Sequence, residues 1–405
     1  MKILLVNKFH WPKGGSETYY FELGKLLKEH GHEVGYFSMY DEKNIKTGDK
    51  EYFVKPFDGN SKNVFKAFDA IYSKENKRVM EKALDDFEPD IVHINLFQRH
   101  LTYSIIEAIK ERNIPIVFTA HDLQAVCPAS AMLCKGSICS KCLKHSKFNC
   151  FKNKCVKGSA LKSMLSSIEG TNYKLKKVYD MIDVIVSPSD FVGKLIKEDG
   201  VDTKVVTIHN FVDIDRFKNN GKKDDGYAFY LGRLSIEKGI VNLVKAFSNQ
   251  KEGSLYIAGD GPEKENIIAY IKEHKLEDRV KLLGFLNQEQ VKDYISRASF
   301  VVVPSIWYEN CPYSILETLS MGKCVVGSKI GGIPELIKNN KNGFLYKYDD
   351  IDALTKIINK LFKDKKLRVE LGKNARLVAE ENYNIEGYYN KLEKIYLELI
   401  GDKKC

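Results

Sequence analysis

Short apolar runs alternate with amphipathic stretches along the whole chain, and this alternation limits the fold more than any other feature. "KILLVNKF" (2–9), "GHEVGYFS" (31–38), "PDIVHIN" (89–95), "IPIVFTAHD" (114–122), "DVIVSPS" (183–189) and "KVVTIHN" (204–210) read as strands. Between them, a helical pattern over 18–30 places Tyr20, Leu23, Leu26 and Leu27 on one face, and another runs through 105–110. Apolar strands separated by such helices indicate a parallel sheet covered on both faces. The polar stretch "KNNGKKDDG" (218–226) then interrupts the pattern as a linker candidate. A second series follows: "YAFYLGRL", "SLYIAGDG", "VKLLGFL", "FVVVPS", "KCVVGSK" and "NGFLYKY", closed by a helix over about 385–399. The expected fold is α/β, with two facing doubly wound Rossmann-like domains. A length of 405 residues suits two domains, and 43% apolar residues suffice for two full cores.

Charge and hydropathy narrow the function classes. The net charge of +10 favours polyanions, anionic membrane surfaces or phosphorylated substrates, although a lysine-rich background would give the same excess. No apolar run reaches 18 residues, so no transmembrane helix is expected. The first apolar run is too short for a signal-peptide core and no small-residue cleavage site follows it, which places the expected location in the cytoplasm.

Strand ends carry the chemistry. "LGRLSIEKG" puts Gly232 and Arg233 just past a strand and Lys238 at a helix opening, an arrangement suited to an anion. "AGDGP" gives a second turn, with Gly259 and Gly261 permitting close backbone approach. "SIWYENCPYSILETLSMGKCVVGSKIGGIPEL" (305–336) sets Glu309 in a loop and Glu317 in an early turn of the next helix. A carboxylate there can accept from two vicinal hydroxyls, as on a ribose. Taken singly, these are a solvated basic turn, a tight turn and two surface acids. All of them occur in order at strand ends, where open α/β sheets bind ligands.

The segment resembles the retaining glycosyltransferases of family 4, with their two-domain GT-B architecture. An Arg…Lys pair followed by two glutamates separated by seven residues carries the resemblance. "GGSE" after the first strand, "AHD" at 120–122, "HNFVDIDRF" before the linker and "GGIPEL" after the acid pair extend it over nearly the whole chain. The resemblance implies a hexosyltransferase using a nucleotide-diphosphate sugar, with a polysaccharide or lipid-linked acceptor in cell-envelope glycan synthesis. It implies that Arg233 and Lys238 bind the donor pyrophosphate, that Glu317 holds the ribose hydroxyls, and that Glu309 contacts the transferred sugar. His121 would face that sugar, and Gly14 and Gly15 would let the first loop approach the diphosphate. Many relatives carry Phe-Gly where this chain has "ENCPYS", and Pro312 removes one N–H. The amides of Asn310, Cys311, Tyr313 and Ser314 are the remaining donors there. The implied domains are an acceptor-side 1–212, a donor-binding 213–382, and a returning helix 383–405. No donor-site metal is implied, because cations already serve the diphosphate; Asp213-x-Asp215 lies beside the linker and is not read as a metal motif. The alternatives are a sugar-nucleotide epimerase on the same fold, or a non-catalytic Cys/Lys-rich binding protein.

The insertion over 127–158 is distinct. It holds six of the nine cysteines, and Cys139-x-x-Cys142 with Cys150-x4-Cys155 resembles a four-thiolate zinc knuckle, with an iron–sulfur cluster or four free thiols as alternatives. Neighbouring lysines, Lys147 among them, are expected to depress the thiol pKa values. Between 135 and 177 the only acid is Glu169, which makes this strip a candidate surface for anionic lipid at the inner face of the membrane or for a phosphorylated acceptor; no aromatic interleaving points to nucleic acid.

Overall fold

The structure, a computed structural model, describes residues 1–56, 69–219 and 221–401. Asn220, inside the linker candidate, lies outside the described residues, as do residues 402–405 of the expected returning segment. The chain divides into two compact units: Met1–His209 together with the chain from Tyr389 on, and Asn210–Tyr388. The stretch 218–226 thus belongs to the second unit.

Among the described residues, the first unit is built on a seven-stranded sheet ordered β3-β2-β1-β4-β5-β8-β9. Its strands are β1 (Lys2–Val6), β2 (Glu33–Met39), β3 (Lys50–Val54), β4 (Ile91–Ile94), β5 (Ile116–Thr119), β8 (Val184–Ser187) and β9 (Lys204–Thr207). All neighbours pair in parallel. β4, β5 and β8 are buried throughout, as continuous Val/Ile/Phe runs require. The hairpin β6 (Leu133–Cys134) and β7 (Ser137–Ile138) lies outside this sheet, within the insertion. The edge strand β3 was not legible as an apolar run, because "KEYFV" is mostly half-exposed and opens with charged residues.

The second unit repeats the topology with six parallel strands ordered β12-β11-β10-β13-β14-β15. These are β10 (Tyr227–Leu231), β11 (Ser254–Ala258), β12 (Val280–Gly284), β13 (Phe300–Val303), β14 (Val325–Ser328) and β15 (Gly343–Tyr346). Its core joins Ala228, Leu243, Ile257, Phe300 and Val326. Both units are therefore Rossmann-like. In each, strand order reverses beside the first strand, between β1 and β4 and between β10 and β13. Such a switch point leaves a crevice at the carboxyl ends of the two strands.

The helix Ile385–Gly401 closes the chain, and from Tyr389 on it packs with the first unit. The Tyr389 ring stacks on His30 at 3.6 Å, and its hydroxyl bonds His32 Nε2 at 2.7 Å. The Tyr396 hydroxyl meets His93 Nδ1 beneath the sheet. Leu392 is fully buried, whereas Leu397 is 55% exposed. Leu392→Ala is expected to cost about 2–5 kcal/mol in chemical denaturation, and Leu397→Ala less than about 0.5 kcal/mol.

Candidate active site

The second unit's switch point gathers the expected donor-site residues. Leaving β10, the chain passes Gly232 and Arg233 into a single 3-10 turn, Ile236–Lys238; the α-helix begins only at Ile240. Lys238 therefore closes that turn rather than opening the helix, and its ammonium points back across the switch point. Lys238 Nζ donates to Glu309 Oε1 at 2.7 Å, a pair spanning 71 residues of sequence. The same oxygen accepts from Ser305 Oγ at 2.5 Å and from Trp307 Nε1 at 3.0 Å. Burial pushes the Glu309 carboxyl up, but the Lys238 charge and these three donors hold it below its ordinary range. Ser305 and Trp307 had no legible role in the sequence; the signal for them is that they lie four and two residues before the acid.

Gly331-Gly332 serves the same loop. Gly332 N donates to the Glu309 carbonyl at 2.7 Å. Gly331 has φ 57, and a Cβ there would meet the Glu309 backbone at its nitrogen (2.7 Å) and oxygen. Only glycine lets these two loops pass so closely. Gly259, at φ 129, plays a similar part, since a Cβ would strike the Gly232 carbonyl. Its neighbour in space is thus protein backbone.

Glu317 sits on the helix Tyr313–Ser320, which no side chain caps. Its half-buried carboxyl makes no hydrogen bond with a described residue, and burial raises it to about 8, with Arg216 opposing. Arg233 is exposed and its guanidinium likewise has no described partner. Cys311 is a buried thiol raised to about 12 by desolvation, and its carbonyl accepts from Asn210 Nδ2 at 3.1 Å. Pro312 takes the N-cap position of that helix, so its missing N–H costs nothing to the helix ladder. The amides of Tyr313 and Ser314 lie in the first turn and that of Asn310 in the loop before it.

In the first unit, His121 follows β5. Its Nε2 is bonded to Asn95 Oδ1 at 2.9 Å, and the Tyr19 ring meets it edge-on at 4.6 Å. Burial pulls the imidazole down to about 3, so it is neutral at working pH, and the carboxamide oxygen selects the tautomer protonated at Nε2. Gly14 is the N-cap of the helix Gly15–Glu29 in extended backbone, and a Cβ there would make only ordinary contact at 3.6 Å. The fold does not demand that glycine; a bare helix N-terminus results from it. Asp213 Oδ1 accepts from the amides of Asp215 and Arg216, which makes it a turn cap.

The cysteine insertion differs from the sequence expectation. Cys127, Cys139, Cys142, Cys150 and Cys155 line one void of about 10 Å³. Among the described residues, however, no group of three or more His, Cys, Asp or Glu side chains is arranged to hold a metal ion. Cys139, Cys142, Cys150 and Cys155 thus do not fit a four-thiolate ion site. Nor do the lysines depress the thiols: burial dominates, raising Cys142 to about 12 and raising Cys127, Cys150 and Cys155 as well. Lys147 is itself buried. It pairs with Asp199 at 2.6 Å and donates to the carbonyls of Val126 (2.7 Å) and Cys142 (3.2 Å), so that an ion pair ties the insertion to the end of the helix Asp190–Glu198.

The "Glycosyltransferase Family 4" model matches residues 13–216, and the "Glycosyl transferases group 1" model matches 211–378. The chain belongs to glycosyltransferase family 4. It is 24% identical over 401 residues to the N-acetyl-alpha-D-glucosaminyl L-malate synthase of Bacillus anthracis, covering 96% of each chain. It is 29% identical over 228 residues to the UDP-Gal:alpha-D-GlcNAc-diphosphoundecaprenol alpha-1,3-galactosyltransferase of Escherichia coli, covering 51% of this chain and 58% of the other. Anabaena Alr3699/HepE, solved with UDP and glucose, superposes with a TM-score of 0.70 at 18% identity, covering 98% of this chain and 99% of that one. This family-4 protein is a glycosyltransferase, with two Rossmann-like units of the GT-B architecture. No described helix is long and apolar enough to cross a membrane.

Glu317 also gives this family member a pH signature. Between its ordinary 4.5 and about 8, the folded state holds a proton that the unfolded chain gives up, so this group's contribution to stability falls as pH rises through that window. The stability of Glu317→Gln relative to wild type is expected to grow across that range and level off above it, as read by chemical denaturation at a series of pH values.

Proposed function

We propose that this glycosyltransferase moves a hexose from a nucleotide-diphosphate sugar to a saccharide or lipid-linked acceptor in cell-envelope glycan synthesis, with retention at the anomeric carbon. The observation that carries this reading is the second unit's switch point, where the loops after β10 and β13 carry an exposed Arg233 with no described partner and a buried, triply bonded Glu309, and the helix that follows carries a half-buried, unbonded Glu317. The UDP and glucose bound to Alr3699/HepE, the UDP-glucose bound to it in a second structure, and the UDP-galactose in the name of the Escherichia coli relative support a nucleotide donor. That relative's diphosphoundecaprenol substrate supports a lipid-linked acceptor.

In this reading Glu317 accepts from the two ribose hydroxyls, and binding draws its carboxyl to the ionised form. Arg233 and Lys238 face the diphosphate, where charge grows as the glycosidic bond breaks; donors placed there in advance stabilise the departing group. Glu309 uses one oxygen to hold Lys238, Ser305 and Trp307. Its Oε2, which accepts no described hydrogen bond, is left for a hydroxyl of the transferred sugar. His121, neutral, acts as a hydrogen-bonding partner of the sugar, since an imidazole with a pKa of about 3 is too weak a base to carry a proton at neutral pH. The departing phosphate oxygen takes the acceptor's proton on the face it leaves, so the new bond forms there and configuration is kept. Arg233→Ala is expected to reduce turnover about 100-fold or more, with the product anomer unchanged. Near-normal turnover would remove Arg233 from the donor site, and an inverted product would contradict retention.

A further inference from the structure

We propose that the switch point of the first unit, where Lys8, Trp11, Lys13 and His100 gather around Phe9, binds the phosphate group of a phosphorylated acceptor. The proposal deepens the transferase reading and rests on it for the word acceptor. β1 ends at Val6 and β4 at Ile94, so Lys8–Lys13 and Arg99–His100 leave the sheet on either side of the point where strand order reverses.

Four groups lie within about 6 Å of the Phe9 ring. Lys13 Nζ stands 3.4 Å from its centroid, Lys8 Nζ 5.8 Å, the Trp11 ring 6.0 Å and the His100 ring 6.1 Å. Lys43 Nζ is 4.9 Å from Trp11. Neither the Lys8 nor the Lys13 ammonium makes a hydrogen bond or an ion pair with a described residue. Trp11 Nε1 and His100 Nδ1 are buried without a partner. Lys8 is desolvated, which draws its pKa down, and an ammonium in that setting calls for an anion. Arg99 adds a third charge from a left-handed backbone, φ 69, with its guanidinium tied to the Pro128 carbonyl at 2.8 Å and to Glu169 at 3.4 Å.

The acids in electrostatic reach are engaged elsewhere. Glu169 takes Arg99, Asp122 accepts from the Gln124 amide, Glu17 accepts from Asn7 and Ser16, and Asp41 accepts from the Lys43 amide. What remains open are cations and N–H donors carried on separate loops. A phosphate presents three or more strong acceptor oxygens to such a set, whereas a carboxylate presents two in one plane. Phe9 and Trp11 offer apolar faces to whatever bears the phosphate.

Lys8 decides the matter, because Lys13 adjoins the Gly14-Gly15 turn that the donor reading assigns to the diphosphate. Full-length protein saturated with uridine diphosphate is titrated with inorganic pyrophosphate by calorimetry. Pyrophosphate is expected to bind the loaded wild type and to bind Lys8→Met at least about tenfold more weakly, with Lys8→Arg recovering most of the loss. Uridine diphosphate affinity is unchanged in Lys8→Met, and its melting temperature equals or exceeds that of wild type, since an unpaired, half-buried charge is gone. Tighter binding of glucose 6-phosphate than of glucose would assign a soluble acceptor. Lys8-dependent binding to phosphatidylcholine vesicles carrying a polyprenyl diphosphate would assign a lipid-linked one. Failure of pyrophosphate to bind the loaded protein, equal binding by Lys8→Met, or lost nucleotide affinity in Lys8→Met would overturn the proposal. If uridine diphosphate does not bind wild type at all, the uridine-nucleotide donor falls instead, and the Lys8→Met comparison with pyrophosphate alone still decides this one.

Discussion

The contact between Lys238 and Glu309 organises the second unit's site. It joins the loop after β10 to the loop after β13 across the switch point, with Glu309 buried and Lys238 half-buried. A buried pair of this kind stabilises little by itself, because desolvation offsets most of the attraction. Its value is positional. Removing either charge would leave the other without its ionic partner, so the pair fixes where the Glu309 loop can lie. Ser305, Trp307 and the Gly331–Gly332 backbone then pin that loop from three other directions. Glu317, one helix further on, keeps its carboxyl unbonded. The site thus holds one acid committed to the protein through a single oxygen and one whose carboxyl the protein leaves unbonded.

The first unit is arranged around its own switch point by different means. Its side chains at that point are mainly aromatic and cationic, and His121, His93 and His100 are all drawn down by burial. Imidazoles drawn this far below their ordinary pKa are poor proton acceptors at neutral pH and suit orienting hydroxyls. This division suits a transfer in which the departing phosphate handles the proton and the protein supplies charge and orientation. In the proposed reading the nucleotide diphosphate is held mainly by the second unit and the acceptor's phosphate by the first.

Much of this was legible in the sequence. Apolar strands and strand-end glycines specify where the chain emerges from each sheet, and the Arg233…Lys238…Glu309…Glu317 order marks the site, since each residue follows or flanks a strand. The rest depended on packing. That Lys238 bonds Glu309 could not be read from residues 71 positions apart, and the half-exposed β3 lacks the apolar run that reveals a buried strand. The cysteine insertion misled for a physical reason. Sequence shows lysines beside thiols and suggests lowered pKa values, but the fold buries the thiols and spends Lys147 on Asp199, so desolvation decides the sign.

The central claim is that the two glutamates have separate tasks, Glu317 on the nucleotide and Glu309 on the transferred sugar. Calorimetric titration of uridine diphosphate into Glu317→Ala and Glu309→Ala, paired with transfer rates, tests it most directly. The account predicts that Glu317→Ala weakens nucleotide binding, while Glu309→Ala binds the nucleotide nearly as wild type yet transfers about 100-fold more slowly or worse. Nucleotide binding lost in Glu309→Ala and kept in Glu317→Ala would contradict it.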